Sequence, residues 1–223
     1  MRPLLAFLAA TASLAAAEVS FTKQTITKDF VAEGCAVADF NHDGQLDVAA
    51  GRFIWLGPDF KEKLAYTPER QNASGPSKTP YNPATGYSDY FIQFAYDFTA
   101  DGWPDLLVYG LPGEPAFVFV NPAGKGGDWA RHNIFDVADG ESPGLVDING
   151  DGKIDIVTGV INTSDIFVLF GNGDGGFAAA ITYDSITGTK DLEIVDIDED
   201  GDLDIVAASG DNVSLFQNNG DGT

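Results

Sequence analysis

Four nine-residue stretches place oxygen-bearing side chains at matching positions. In DINGDGKID, residues 147–155, Asp147, Asn149, Asp151 and Asp155 hold the first, third, fifth and ninth places, and Gly152 holds the sixth. A hard divalent cation such as calcium takes six to eight oxygens at about 2.3–2.6 Å. These four side chains supply such oxygens, and the backbone carbonyl of Lys153 at the seventh place supplies another. Gly152 permits the sharp turn that folds the chain back around the ion. The frame recurs in DFNHDGQLD with Asp39, Asn41, Asp43, Gln45 and Asp47. It recurs in DFTADGWPD with Asp97, Thr99, Asp101, Trp103 and Asp105, and in DIDEDGDLD with Asp196, Asp198, Asp200, Asp202 and Asp204.

Each stretch runs into an apolar β-type segment: DVAAG, DLLVYG, DIVTGV and DIVAAS. The starts lie 58, 50 and 49 residues apart. A period of that length marks an array of supersecondary units, of which propeller blades are one kind. An EF-hand needs a bidentate Glu at the twelfth place and flanking helices. The twelfth places here are Ala50, Val108, Thr158 and Ala207, none of which binds metal, and the flanks are rich in Val, Ile and Leu without a helical period. The loops are therefore expected in β-turns.

From about Asp39 onward these motifs resemble the FG-GAP or VCBS repeat proteins, whose loops follow D-x-[DN]-x-D-G-x-x-D. The segments LFGNGDGGF, residues 169–177, and LFQNNGDGT, residues 215–223, are similar to that family's later turn within a blade. The resemblance implies an all-β fold of β-propeller-type blades, an incomplete or open propeller of about four, with calcium in the loops. Thr99 departs from the usual Asn or Asp, so the second site is expected to be weaker. No Gly-Ala-Pro follows Phe170 and Gly171, which fits the broader VCBS type. Residues 121–136 loosely resemble a segment of uncharacterised secreted bacterial propellers.

Residues 1–17 read as a signal peptide: Arg2 gives the positive start, residues 4–8 begin the apolar core, and Ala15, Ala16 and Ala17 fit small-residue cleavage. That run falls short of the roughly 20 residues a membrane span needs. The mature region, residues 18–223, is expected to be secreted, extracellular or periplasmic, without membrane insertion. The balance of 34 acidic against 12 basic residues makes nucleic acid and anionic lipid poor partners by repulsion. Fifteen acids sit in the four loops, so bound calcium should stabilise the fold. With Cys35 the single cysteine, no internal disulfide is possible, and metal is the natural staple. Cys35 reads as a small core residue in an alternating run.

Residues 18–38 read as a lead-in strand or two: residues 20–27 alternate, and residues 34–40 feed the first loop. Residues 58–89 hold five of the eleven prolines and stretch the first period. They read as a solvated surface loop, with Tyr66, Tyr81, Tyr87 and Tyr90 as the alternative lining of a carbohydrate or partner site. When residues 172–175 are aligned with 219–222, the fourth unit lacks the strand that follows Phe177. A C-terminal truncation is expected, with a small closed ring or two assembled half-rings as alternatives.

Catalytic signatures are absent from the sequence: it has no G-x-S-x-G, C-x-x-C, H-E-x-x-H, P-loop or Rossmann fingerprint. His42 occupies a variable place in the first loop and should face solvent. His132 lies in an alternating run with no recognisable partner. Trp55, Trp103 and Trp129 read as packing between blades, with sugar stacking as the alternative. Asn72, Asn162 and Asn212 open glycosylation sequons. The leading function is a secreted calcium-binding module for adhesion or recognition of an extracellular protein or glycan. The alternative is the propeller part of a secreted carbohydrate-active enzyme or dehydrogenase with its catalytic part elsewhere.

Overall fold

A computed structural model describes residues 20–68, 90–138, 140, 142–160, 165–184, 188–209 and 212–220. The expected signal peptide, Tyr81, Tyr87 and the sequons at Asn72 and Asn162 lie outside the described residues. All regular structure among the described residues is β, in four antiparallel sheets with no strand shared between them.

Unit one comprises β1 (Ala36–Ala38), β2 (Asp47–Ala50), β3 (Phe53–Trp55) and β4 (Lys63–Ala65). Unit two comprises β5 (Ile92–Tyr96), β6 (Asp105–Tyr109), β7 (Glu114–Val120) and β8 (Ala130–Ala138). Unit three comprises β9 (Gly144–Val146), β10 (Asp155–Val160), β11 (Asp165–Leu169) and β12 (Ile181–Asp184). Unit four comprises β13 (Asp191–Val195), β14 (Asp204–Ala208) and β15 (Val213–Phe216). Each sheet is a meander in chain order. The acidic loops join first strand to second in every unit, so all four occupy one equivalent corner.

In units two and three the second strand is buried along its whole length, because sheets pack against both of its faces. Its period of two divides the core. Leu106 and Val108 of β6 join a cluster with Phe40, Ile54 and Tyr66 of unit one. Leu107 and Tyr109 join a cluster with Ile156 and Leu169 of unit three. A third cluster links Val157, Ile166 and Val168 to Ile205 and Ala207 of unit four. The hydrophobic core thus lies between units. Burying each large aliphatic or aromatic side chain contributes about 1.5–3 kcal/mol.

Three expectations need correction. Residues 20–27 form no strand, because nothing in the described chain pairs with them. Cys35 is exposed: it precedes β1, and the alternation turns Ala36 inward instead. The stretch after Pro58 is only partly loop, since it contains β4. Tyr66, next after β4, is fully buried, donates its hydroxyl to the Gly51 carbonyl at 2.8 Å, and packs against Phe119 and Trp129. Tyr90 is likewise core, so neither tyrosine lines a surface site.

Candidate metal centres

One turn is built four times. The first-place aspartate accepts the backbone N–H groups of the fifth and sixth residues. Asp39 receives Asp43 at 3.1 Å and Gly44 at 2.9 Å, and Asp97, Asp147 and Asp196 repeat the pair at 2.8–3.1 Å. The third-place side chain accepts the fifth N–H in loops one, three and four, through Asn41, Asn149 and Asp198. The fifth-place carboxylate accepts the seventh N–H in all four, at 2.8–3.0 Å. These local bonds are what short acidic and amide side chains do in turns. They fix the carboxylates around the bend before any ligand arrives. The sixth-place glycines sit at φ 85°, 90°, 85° and 100°, a region that L side chains avoid. A Cβ there would meet nothing, so backbone conformation alone requires glycine.

The ninth-place aspartate opens the second strand and is fully buried in every unit. One of its oxygens accepts the second-place N–H, from Phe40, Phe98, Ile148 or Ile197, at 3.0–3.1 Å. The other accepts an N–H just past the third strand, from Gly57, Asn121, Gly171 or Asn218, at 2.8–2.9 Å. Each side chain therefore ties its loop to the far end of β3, β7, β11 or β15. Burial pushes the Asp47, Asp105 and Asp155 carboxyls above the ordinary 3.8, reinforced by the neighbouring loop acids and opposed by the two N–H bonds. Asp105 reaches about 6.

A carboxylate has about four acceptor sites, so two N–H bonds leave capacity for a cation. In loop four one oxygen each from Asp196, Asp198 and Asp204 lies within 4.8 Å of the others. Ligands about 2.4 Å from a common ion are separated by no more than that, so this donor set fits a hard cation. The other loops differ at the third place, where Asn41, Thr99 and Asn149 replace the carboxylate. In loop one Asn41 donates its amide to Asp43 at 3.0 Å. In loop two the Thr99 hydroxyl turns to Asp97 at 3.4 Å rather than accepting an N–H. In loop three the Lys153 ammonium lies 2.9 Å from Asp151 and holds that carboxyl below its usual range. The seventh-place residues Gln45, Trp103, Lys153 and Asp202 each direct their N–H at the fifth-place acid.

His42 is exposed, but its ring stacks on Trp103 at 3.9 Å and 8°, joining loop one to loop two. Trp55 and Trp129 are buried, and Trp129 packs on Phe40 across the boundary between units one and two. Two features escaped the pattern of acids. The fourth place is also left-handed, at φ 56° for His42, 55° for Ala100, 73° for Gly150 and 62° for Glu199. The residue after the third strand also acts between units. Asn121 donates its amide to Phe40 of unit one and to Pro104, and Asn218 donates to Ile148 of unit three and to Leu203, all at 3.0 Å. In unit three, where Gly171 stands, the Gly175 N–H reaches Phe98 instead. In sequence both are simply an Asn within two residues of the end of an apolar run, in VNP and QNN.

Comparison with known proteins places this geometry among repeat architectures. The FG-GAP-like repeat family matches residues 97–158 and again 147–207. No curated protein sequence matches the chain. Among solved structures, an Agrocybe aegerita lectin described as specifically recognising non-reducing terminal N-acetylglucosamine is 20% identical, with a TM-score of 0.56. That match covers 86% of this chain and 50% of the lectin, so the chain spans half of that relative's length. The Photorhabdus luminescens Tc holotoxin pore is 17% identical over 85% of this chain and 9% of its own, with a TM-score of 0.39.

Proposed function

From the premise that the chain is an FG-GAP-like repeat protein, we propose that it is an exported binding module. In this reading calcium stiffens its acidic corners, and its inter-unit clefts recognise an extracellular glycan. The observation that carries this is the fourfold turn whose buried ninth-place aspartate fastens the loop to the third strand. Asp39, Asn41, Asp43 and Asp47, with their counterparts in the other three loops, would hold the ions. A bound cation supplies charge neutralisation, removing the mutual repulsion of carboxylates crowded in one bend.

A glycan is favoured over other partners on three grounds. The acidic surface repels nucleic acid and anionic membrane. No described helix is long and apolar enough to cross a membrane. A cleft of about 150 Å³ opens between loops two and three, lined by Tyr96, Ala100, Lys153, Gly173 and Phe177. Tyr96 is 41% exposed at its rim and offers a flat face for sugar C–H groups, while the glycine-rich wall lets a ligand approach the backbone. The fold shared with a sugar-recognising lectin agrees with this choice.

The test is a glycan array followed by calorimetry, in calcium and in chelator. Binding of a terminal sugar in calcium, weakened at least tenfold by Tyr96→Ala, is the expected result. A folded, calcium-loaded protein that binds no glycan overturns the reading.

A further inference from the structure

Loop three alone carries a cation at its seventh place. Gln45, Trp103 and Asp202 stand there in the other loops. The Lys153 ammonium lies 2.9 Å from the Asp151 carboxylate, its one partner among the described residues. The two side chains are 44% and 34% exposed, so solvent and ions can compete for the bond. The same lysine is a wall of the cleft between loops two and three. Among the described lining residues it is the one cation, and Asp97 is the one acid. Its stem lies along the turn at residues 172–176: a Cβ on Gly173 would meet Lys153 Cδ at 3.2 Å and Cε at 3.5 Å. That turn is tied to loop two, because the Gly175 N–H donates to the Phe98 carbonyl at 3.1 Å. An ammonium that leaves Asp151 therefore remains beside the cleft.

Asp151 is also the fifth-place donor of the proposed loop-three site. Its carboxylate thus has two claimants, because the ammonium and a divalent ion on one carboxylate repel each other. An anionic group in the cleft is in the same way a second claimant on Lys153. Either newcomer alone must break the ion pair, and it leaves one charge unmatched. When both are present the pair is broken once, and each charge has a new partner. Two ligands that share one such cost bind with positive coupling, and the coupling is reciprocal. The flanking acids act in the same sense. Asp97 lines the cleft in a chain of net charge −22, so an anion is repelled until those carboxylates are neutralised. A neutral sugar meets neither effect.

We propose that Lys153 selects glycans that carry a carboxylate, as uronic acids do, and that Asp151 couples this selection to calcium at loop three. The inference rests on the glycan reading of the cleft and adds the ligand's charge and its control. Lys153 is freed from Asp151 in the metal-loaded protein, and its ammonium then faces the ligand's carboxylate. The exposed ion pair alone amounts to no more than about fivefold in an equilibrium constant. Relief of repulsion from the flanking acids adds to that.

The test titrates the isotope-labelled full chain with methyl β-D-glucuronide and with its neutral counterpart, methyl β-D-glucoside, in calcium and in chelator. In calcium both sugars should shift the amides of Tyr96, Lys153 and Gly173, with the glucuronide tighter by about threefold or more. In chelator that preference should vanish. Lys153→Met, which keeps the stem, should abolish the preference in calcium, and Lys153→Arg should retain it. Saturating glucuronide should raise the calcium affinity of loop three, read from the Gly152 amide, by the factor that calcium raises glucuronide affinity. Equal affinity for the two sugars in calcium overturns the proposal and leaves the glycan reading intact. A preference that survives Lys153→Met does the same, and neither result depends on the metal-free protein staying folded. No shift of the cleft amides by either sugar up to its solubility limit overturns the proposal together with the glycan reading of this cleft.

Discussion

The Asn121 side chain reaches back 81 residues in sequence to donate its amide to the Phe40 carbonyl at 3.0 Å. Its backbone N–H meanwhile holds Asp105, so one buried residue connects the corner of unit one to that of unit two. Removing the amide leaves the buried Phe40 carbonyl and the part-buried Pro104 carbonyl without this donor. An unsatisfied buried polar group costs about 1–3 kcal/mol. Asn121→Ala should therefore destabilise by roughly that amount in urea unfolding. Asn218→Ala, at the partly exposed equivalent in unit four, should cost less. Equal and negligible losses at both sites would remove these amides from the account of how units are joined.

The fourth place of each loop gives a second expectation. Ala100 and Glu199 hold positive φ without being glycine, whereas loop three uses Gly150. A left-handed L-residue costs about 1–2 kcal/mol, and glycine's larger unfolded-state entropy offsets about 0.5–1 of that. Ala100→Gly should thus be neutral to stabilising by roughly 1 kcal/mol. Gly152→Ala should destabilise by a similar amount, although nothing occupies the space beside Gly152. Denaturation midpoints of the two variants should move in opposite directions. A shift of the same sign in both would contradict the backbone argument.

The proposed calcium sites predict a linked change in stability. A cation held by the folded corners and not by the unfolded chain adds about 2.7 kcal/mol per site at a hundredfold excess over Kd. For a chain of this size each kcal/mol raises Tm by roughly 2–4 °C. Calorimetric melts in calcium should lie several degrees above melts in chelator. Asp198→Ala should abolish the loop-four site alone, because that acid completes the trio with Asp196 and Asp204. Identical melting with and without calcium would leave the corners as turns that hold no metal.

The four corners were legible because their geometry is local. Asp, Gly and Asp at fixed spacing act within nine residues, and the apolar runs that follow are the second strands, buried along their whole length in units two and three. What escaped depends on partners far along the chain. Tyr66 looked like a loop aromatic because the short run with Leu64 is too brief to announce a strand, and its contacts with Gly51, Tyr90, Gln93, Phe119 and Trp129 lie far along the chain. Cys35 was misplaced by one step of alternation, enough to turn a side chain from core to solvent. Residues 20–27 carry strand-like alternation, but no strand among the described residues pairs with them. Asn121 carries no local signature that separates a bridging amide from an ordinary turn residue.

The buried carboxyl of Asp105 sets a pH dependence whose sign follows from its direction. Burial raises it from 3.8 to about 6, and Asp101 and Asp97 add to the rise, while N–H bonds from Asn121 and Phe98 oppose it. Between those values the folded chain holds more protons at this site than the unfolded chain. In chelator its contribution to stability is therefore fully present below about 3.8 and is lost as pH rises through about 6. Calcium held as proposed would act in the opposite sense, because it requires the carboxylate and competes with the proton. The gain in Tm from calcium should consequently shrink as pH falls through 6. Carbon-13 titration of the aspartate carboxyls in chelator should show Asp105 titrating near 6, with Asp47 and Asp155 also above 3.8. Titration of Asp105 near 4 would mean that its two backbone donors outweigh its burial, and the calcium-dependent gain in Tm should then persist unchanged across that interval.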